Sequence, residues 1–446
     1  MKGKLKSAPE VEKKLGIKFY FTAENGIGGR IKTVPLDFHV KEITDWTASD
    51  EGGYLILRVT KENWDTLQLV KELASALRIG TKRIGFAGTK DKFAVTTQKM
   101  SVWGISEDDI KKVKLPRVEI EVLGRSKKPV ALGDLRGNEF DVVIRDVSDA
   151  PDEVEAKVKA IASKISEAGG VPNFFGVQRF GTSRPITHIV GKHLVRGDLQ
   201  AAVLTYLSEI FPGESDAAKN ARRLCAEGKF KESLKQMPPF LRYEKAILNV
   251  LVKDSNDFLG ALRSLPASLR RMFVHAYQSY LFNLTLSYRL EACAELGVPF
   301  AEALVGDIVC YRGADGSPDV NKTEKVTESK LEGVNRLVKR QRAFVTAPLF
   351  GYETELADGL QGEIERRVLD KEGVALEDFK IKAVPELASR GWRREILMPV
   401  RDLKFEVSKD ELHEDKTKVR LHFSLPKGGY ATVVLREFMK ERGVIF

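Results

Sequence analysis

Cysteine, histidine and long apolar runs are scarce in this chain, and each scarcity removes a class of function. Its three cysteines, Cys225, Cys293 and Cys310, have no CxxC spacing. An odd, scattered set argues against a disulfide framework and against a thiolate zinc site. A reducing, cytoplasmic setting is the expectation. The six histidines stand apart, at 39, 188, 193, 275, 413 and 422. His188 and His193 are five positions apart, which puts them on different helix faces, and they match no HExxH pair. There is no GxSxG elbow, no P-loop and no GxGxxG after a strand; Gly26-Ile27-Gly28-Gly29 has the wrong spacing. Chemistry without a metal, nucleotide or nicotinamide cofactor is therefore expected. No stretch approaches the roughly 18 apolar residues of a membrane span. The best run, Ala246 to Val252, is short and contains Asn249. Met1 to Lys18 is lysine-rich without an apolar core, so no secretory signal is read there.

What the chain does have is enough apolar residue for a sizeable core and an excess of positive charge. Hydrophobic residues make up 43% and charged residues 30% of its 446 positions, ordinary for a globular protein. At about 150 residues per domain the length suggests about three domains. Lys and Arg number 73 against 63 Asp and Glu, a net charge of +10. That balance favours a polyanionic partner without naming one.

The pattern of residues changes twice along the chain. After a polar, basic leader of 25 residues, Arg30 to Val147 reads mainly as strands. Phe38 to Val40, Tyr54 to Val59, Arg83 to Ala87, Ala94 to Val102, Val118 to Leu123 and Phe140 to Val147 carry the β signal. One helix interrupts them, capped by Asn63, with Leu67, Val70, Leu73 and Leu77 on one face and Gly80 as its stop. Asp152 to Ala168 is a second helix, ended by Gly169-Gly170. From about Leu199 helical periodicity takes over: Leu199 to Ile210, Ala217 to Ala226, Leu241 to Val252 and Leu269 to Leu296. A less regular part follows, with turn-rich Gly313 to Lys322. The β pattern returns at Ile396, with clear alternation from Lys418 to Leu425, a turn at Pro426 to Gly429 and a helix from Ala431 to Lys440. β-rich, then helical, then β-rich again predicts an α+β domain with an insertion.

Four segments are dense in chemistry. In Gly88-Thr89-Lys90-Asp91-Lys92 a strand runs into a glycine turn and presents an aspartate between two lysines. Neighbouring ammonium groups favour the carboxylate form, which suits a nucleophile or base; a plain hairpin turn has the same composition. Asn173-Phe174-Phe175-Gly176-Val177-Gln178-Arg179-Phe180-Gly181 offers aromatics to stack on a flat heterocycle and an amide to read its edge; the competing reading is an aromatic plug. Leu425 to Glu437 places Gly428-Gly429 and Tyr430 before the last helix, where close backbone approach or simple packing fits equally. Arg30 to Ile43 reads by itself as an edge strand with a proline. The basic clusters Arg336, Lys339, Arg340, Arg342 and Arg390, Arg393, Arg394 could grip phosphates.

Taken together and in order, these segments resemble the signature set of the TruD family of tRNA pseudouridine synthases. GTKDKFAVTTQ resembles the family's catalytic-aspartate motif, NFFGVQRFG its most diagnostic string, GGYATVVLRE its C-terminal motif and IKTVPLDFHVKEI its first strand. Ala276 to Asn283 resembles a helix of the family's insertion, and residues 300 to 390 carry no matching motif. The bulk of that region resembles the longer archaeal and eukaryotic members.

The resemblance implies an α+β fold: a mixed, largely antiparallel-sheet catalytic domain, 1–197 with 401–446, interrupted by a mainly helical α+β insertion, 198–400. It implies isomerisation of a flipped-out uridine to pseudouridine within tRNA, at position 13 beside the D-arm, with no cofactor and no metal. Asp91 would be the nucleophile and Lys32 its charge partner. Phe175 would stack on the base, Asn173 would hydrogen-bond near it, and Phe38 and Tyr430 would close the pocket. Tyr430 departs from the phenylalanine of bacterial members, adding a hydroxyl that needs a partner. The partner implied is tRNA, with no membrane, and a monomer is favoured. The excess positive charge is expected to line a cleft between sheet and insertion. Two rival readings remain: a non-catalytic RNA-binding protein or tRNA chaperone on the same scaffold, and a base-excising hydrolase.

Overall fold

The computed structural model describes residues 5–47, 49–313 and 316–440. The chain forms two compact units: a sheet unit, Glu24–Val171 with Met398–Phe446, and a helical unit, Met1–Ala23 with Pro172–Leu397. The chain passes from one unit to the other at 23/24, 171/172 and 397/398, where the expected domain limits were 197/198 and 400/401, and residues 5–23 belong to the helical unit. The reason is visible in the burial. Residues 5–23 contain the short helix α1 (Glu10–Lys13), and Leu15, Ile17 and Tyr20 are buried. Asn283 Nδ2 donates to the Leu15 carbonyl (2.9 Å) and Ser287 Oγ to that of Gly16 (2.7 Å). The described part of the basic leader is thus folded; its few apolar residues flank a helix too short to show a period.

In the sheet unit, the first run of chain supplies β1 (Phe38–Ile43), β2 (Tyr54–Glu62), β3 (Ile84–Phe86), β4 (Val95–Trp103), β5 (Val118–Ser126) and β6 (Gly137–Val147), with helices α2 (Thr66–Ala76), α3 (Glu107–Lys111) and α4 (Pro151–Ala168). The second run supplies β13 (Arg401–Lys409), β14 (Thr417–Pro426) and α14 (Ala431–Met439). An eight-stranded sheet in the order β13-β14-β6-β1-β4-β2-β5, with β3 on β4, results. Its neighbours are antiparallel except for β1 with β4, the mixed, largely antiparallel sheet expected. In β14 the alternation is clean: Val419, Leu421, Phe423 and Leu425 are buried. Leu55, Leu57 and Val59 of β2 pack with Leu69, Val70 and Leu73 of α2 into one core.

Two local expectations are corrected. Helix α2 is capped by Asp65, whose carboxylate accepts from Leu67 and Gln68 N–H, not by Asn63. Leu67 consequently faces solvent, and Leu69 takes the inward position. Strand β1 is interior, between β6 and β4, rather than an edge. Pro35 lies before it in a 3-10 turn, Pro35–Asp37, and therefore costs the ladder nothing.

After residue 23 the chain passes between the units twice more, at the two-residue strands β7 (Val171–Pro172) and β12 (Leu397–Met398). Between them the helical unit contains α5 (Thr187–Val195), α6 (Leu199–Ser208), α7 (Asp216–Ala226), α8 (Phe230–Gln236), α9 (Arg242–Leu251), α10 (Phe258–Arg263), α11 (Ala267–Leu296), α12 (Leu331–Lys339) and α13 (Gly359–Glu372). A four-stranded antiparallel sheet, in the order β11-β10-β8-β9, completes it: β8 (Ile308–Arg312), β9 (Pro318–Lys325), β10 (Ala343–Leu349) and β11 (Trp392–Glu395). This sheet replaces the irregular stretch expected after residue 300; part of the expected turn at 313–322, residues 314–315, lies outside the described residues. Ile186, Val190 and Leu194 of the α5 region pack in one core with Phe273, Tyr277 and Leu281 of α11, which draws residues 172–197 into this unit.

Helix α11 is buried nearly all round, and its buried polar side chains are spent on neighbours. Gln278 Nε2 donates to the Phe350 carbonyl (2.6 Å), and Arg289 forms a fully buried pair with Asp307 (2.8 Å) while also reaching Gln361. Buried polar groups paired in this way are tolerated where unpaired ones are costly.

Candidate active site

The site in the sheet unit is built on the loop of residues 87–94 that joins β3 to β4. Asp91 stands on that loop with its side chain 52% exposed, and Lys32 Nζ lies 3.1 Å from its Oδ2. The same ammonium is 4.4 Å from the centroid of the Phe38 ring, at the start of β1. Asp91, Lys32 and Phe38 are thus brought together. Of the two flanking lysines, Lys90 turns away from the carboxylate to pair with Glu42 at 2.9 Å, both nearly buried.

Lys32 adopts φ 57°, a left-handed conformation uncommon outside glycine. Its surroundings hold it there. Arg30 bridges to Arg145 before it, and the Pro35–Asp37 turn follows. Asp37 Oδ2 accepts from Val34 N–H (3.1 Å), and its Oδ1 accepts from Arg145 Nε (2.8 Å). Arg145 also donates to Asp410 (2.7 Å) and Glu411 (3.0 Å). Burial opposes the Asp410 carboxylate, but donation from the N–H groups of Asp146 and Leu412, from His413 and from Arg145 keeps its pKa below the usual range. Arg145 and Lys418 push Glu411 down to about 2.

The underside of the loop is polar and buried. Gln98 Nε2 donates to the Gly88 carbonyl (3.2 Å), Thr66 Oγ1 accepts from Lys90 N–H (3.0 Å), and Lys61 Nζ donates to the carbonyls of Asp91 (3.1 Å) and Trp64 (2.6 Å). Sequence reading missed these three residues. The signal was present for Lys61, since Leu55, Leu57 and Val59 set an inward phase on β2 that Lys61 continues.

Tyr430 stands half-buried at the head of α14, four residues beyond Pro426, which pairs with Gly137. In the turn before it Gly428 has φ 79°, and a Cβ on Gly429 would lie 2.7 Å from Met398 Sδ. The glycine pair therefore answers a real conformational and steric need.

The helical unit gathers Asn173 and Phe175. The buried Asn173 amide donates to the Glu395 carbonyl (3.0 Å) and carboxylate (3.1 Å), and its Oδ1 accepts from Arg394 Nη2 (2.5 Å). Both ends of the amide are therefore engaged by protein. Phe175 is 7% exposed. Its ring lies edge-to-face with Phe282 at 5.5 Å, and the Arg394 guanidinium sits 4.5 Å from its centroid, with that of Arg179 at 5.7 Å. Asn283 of α11 fixes the main chain here, accepting from Phe175 N–H (2.8 Å) and donating to its carbonyl (3.1 Å). Arg394 stands out of its basic cluster by this geometry, which composition alone did not single out. Its neighbour Arg393 is spent inward on Glu365 (3.2 Å) and Thr346, not held for phosphate. Among the described residues no group of three His, Cys, Asp or Glu side chains converges as a metal site.

Comparison with known proteins agrees along nearly the whole chain. The family model for tRNA pseudouridine synthase D (TruD) matches residues 14–438. A probable tRNA pseudouridine synthase D of Methanosarcina mazei is 49% identical over 433 residues, 97% of this chain and 98% of its own. One from Thermococcus sibiricus is 41% identical over 426 residues, 95% of this chain and 97% of its own. The crystal structure of a putative TruD from Methanosarcina mazei superposes with a TM-score of 0.90 at 48% identity, covering 98% of this chain and all of that one. With an ordered set of motifs, a matching fold and full-length relatives, the chain belongs to the TruD family of tRNA pseudouridine synthases.

Proposed function

We propose that this protein isomerises uridine 13 of tRNA to pseudouridine, with Asp91 as the catalytic carboxylate. The observation that carries this reading is the Asp91–Lys32 ion pair: an exposed carboxylate on the family's aspartate motif, set at 3.1 Å from a cation on the family's first-strand motif. The reaction breaks the C1′–N1 bond, forms C1′–C5 and moves one hydrogen from C5 to N1. Nothing is oxidised or reduced, so the chemistry calls for a positioned nucleophile or base rather than a redox group. Attack at C1′, attack at C6 and deprotonation to a glycal are all within the reach of a carboxylate.

The target base must leave its stack, at a cost of a few kcal/mol, which stacking on an aromatic or a guanidinium offsets. To Phe38 and Tyr430 we assign enclosure of the nucleotide, and to Phe175 its stacking surface. Because Arg394 covers that ring, the base would meet a guanidinium–ring pair rather than a bare phenylalanine. Asn173, with both amide ends engaged, would act by holding Arg394. The net charge of +10 suits the polyanionic substrate. The three buried thiols, unpaired with one another, suit a cytoplasmic, reducing setting.

The test is to incubate purified protein with unmodified tRNA transcripts and map pseudouridine along them. Conversion at position 13 with no change of RNA mass is expected. Binding without conversion would favour the chaperone reading, and release of free uracil the hydrolase.

A further inference from the structure

A lysine buried without a carboxylate in direct contact is unusual, because the ammonium gives up its hydration for neutral partners. Lys61 is such a residue: its exposure is 0%, and the hydrogen bonds of its Nζ go to the main-chain carbonyls of Asp91 and Trp64. One of those carbonyls belongs to the residue assigned the chemistry. Lys61 does not act alone. Gln98, Thr66 and Lys61 engage the main chain at Gly88, Lys90 and Asp91 in turn, so the loop is tied from below along its length. The arrangement leaves the Asp91 carboxylate exposed on top while its main chain is fixed underneath.

We propose that Lys61 is a positioning residue for the isomerisation: its buried ammonium holds the Asp91 main chain so that the carboxylate stays beside Lys32, and adds a second positive charge beneath the site. The inference rests on Asp91 being the reacting carboxylate. A purely structural role for Lys61 would show as lost stability with the rate of the folded protein unchanged, since its removal leaves two main-chain carbonyls without their donor. The charge is also titratable near neutrality. Burial pushes Lys61 down to about 8, against the pull of the Asp65 and Asp91 carboxylates and with Lys90 adding to the fall. Thr96, its partner across the ladder on β4, is neutral and buried. A site that depends on the charged form loses rate as pH rises through that value.

The experiment measures single-turnover pseudouridine formation at saturating tRNA between pH 6 and 9.5 for wild type, Lys61→Met, Lys61→Arg and Asp91→Asn, with tRNA affinity and thermal melting alongside. The expected result for Lys61→Met is a rate at least 30-fold lower at pH 7, with affinity within twofold and a cooperative melt. The wild-type rate should fall above about pH 8, while Lys61→Arg, whose charge does not titrate in this range, should lack that fall. A folded Lys61→Met with wild-type rate overturns the proposal, as does an alkaline fall shared by Lys61→Arg. Should the variants fail to fold, a wild-type rate that stays level from pH 7 to 9.5 overturns it as well. Conversion by Asp91→Asn would instead remove the reading of Asp91; an inactive Asp91→Asn beside a fully active Lys61→Met removes this inference alone.

Discussion

The two units present their signature residues in opposite ways. In the sheet unit the carboxylate to which we assign the chemistry is exposed and its supports are buried: the Asp91 side chain is half-exposed while Lys61, Thr66 and Gln98 lie beneath its loop. In the helical unit Asn173 and Phe175 are themselves buried, and a guanidinium rests on the Phe175 ring. On the proposed reading the two units divide the labour. The sheet unit would keep a carboxylate available and rigid, as bond-making requires. The helical unit would keep a flat cationic surface in place, as holding a base requires.

That division predicts where substitutions act. The largest effect is expected at Asp91: Asp91→Asn should lower the single-turnover rate by about 10⁴-fold or more, in line with loss of an essential nucleophile, with tRNA affinity retained. Loss of affinity in step with rate would erase the distinction between the units. Next is Lys32→Met, expected to cost about 100-fold in rate by removing fixed charge beside the carboxylate, again without weakening tRNA binding measured by filter retention.

Substitutions in the helical unit should read differently. Phe175→Ala and Arg394→Ala each remove stacking surface, worth about 1–3 kcal/mol per base. They should raise KM for tRNA more than they lower kcat. If either lowers kcat alone, the helical unit takes part in the chemistry and the comparison fails. Raising salt should weaken binding for wild type and for all these variants alike, as phosphate contacts release counterions; the slope of log affinity against log salt checks this, and a flat slope would contradict it.

The smallest expected effect is on stability. Glu411 and Asp410 have pKa values below their unfolded values because Arg145 and backbone donors favour the carboxylates. Their contribution is therefore full above about pH 4, the ordinary carboxylate range, and is lost as pH falls toward 2. Melting temperature should drop over that interval more steeply in wild type than in Arg145→Met. Parallel acid curves would show that the network holding the Lys32 turn contributes little to folding.

Legibility in the sequence followed the physics of each element. Strand β14 was plain because one face is buried and alternation records it, and β2 and β4 because their β-rich runs end in turn residues. Helix α11 was plain through its length and the Tyr277, Leu281, Leu284, Tyr288 spacing. Strand β9 was not, because Pro318–Lys325 is a polar hairpin arm in which no residue is buried, so no phase betrays it. Helix α5 was missed partly because of Gly191, which reads as a breaker. A Cβ there would lie 2.0 Å from the Phe273 carbonyl oxygen, so the glycine lets α5 approach α11. Asp91 and its cation Lys32 are 59 positions apart, and no local pattern joins them; their pairing depends on β1 lying parallel to β4. The resemblance of motifs supplied that link, and the sheet gives its geometry. Lys61 was legible in principle, as a charged residue on an inward phase, while Arg394 was hidden among neighbouring arginines whose side chains do different things.

The most direct test of the account is position-resolved mapping of pseudouridine on a tRNA transcript treated with equal amounts of wild type and Asp91→Asn. The account predicts pseudouridine at position 13 with wild type and none with Asp91→Asn, although both retain the transcript with similar affinity. Conversion by Asp91→Asn, or none by the wild-type protein, would contradict it.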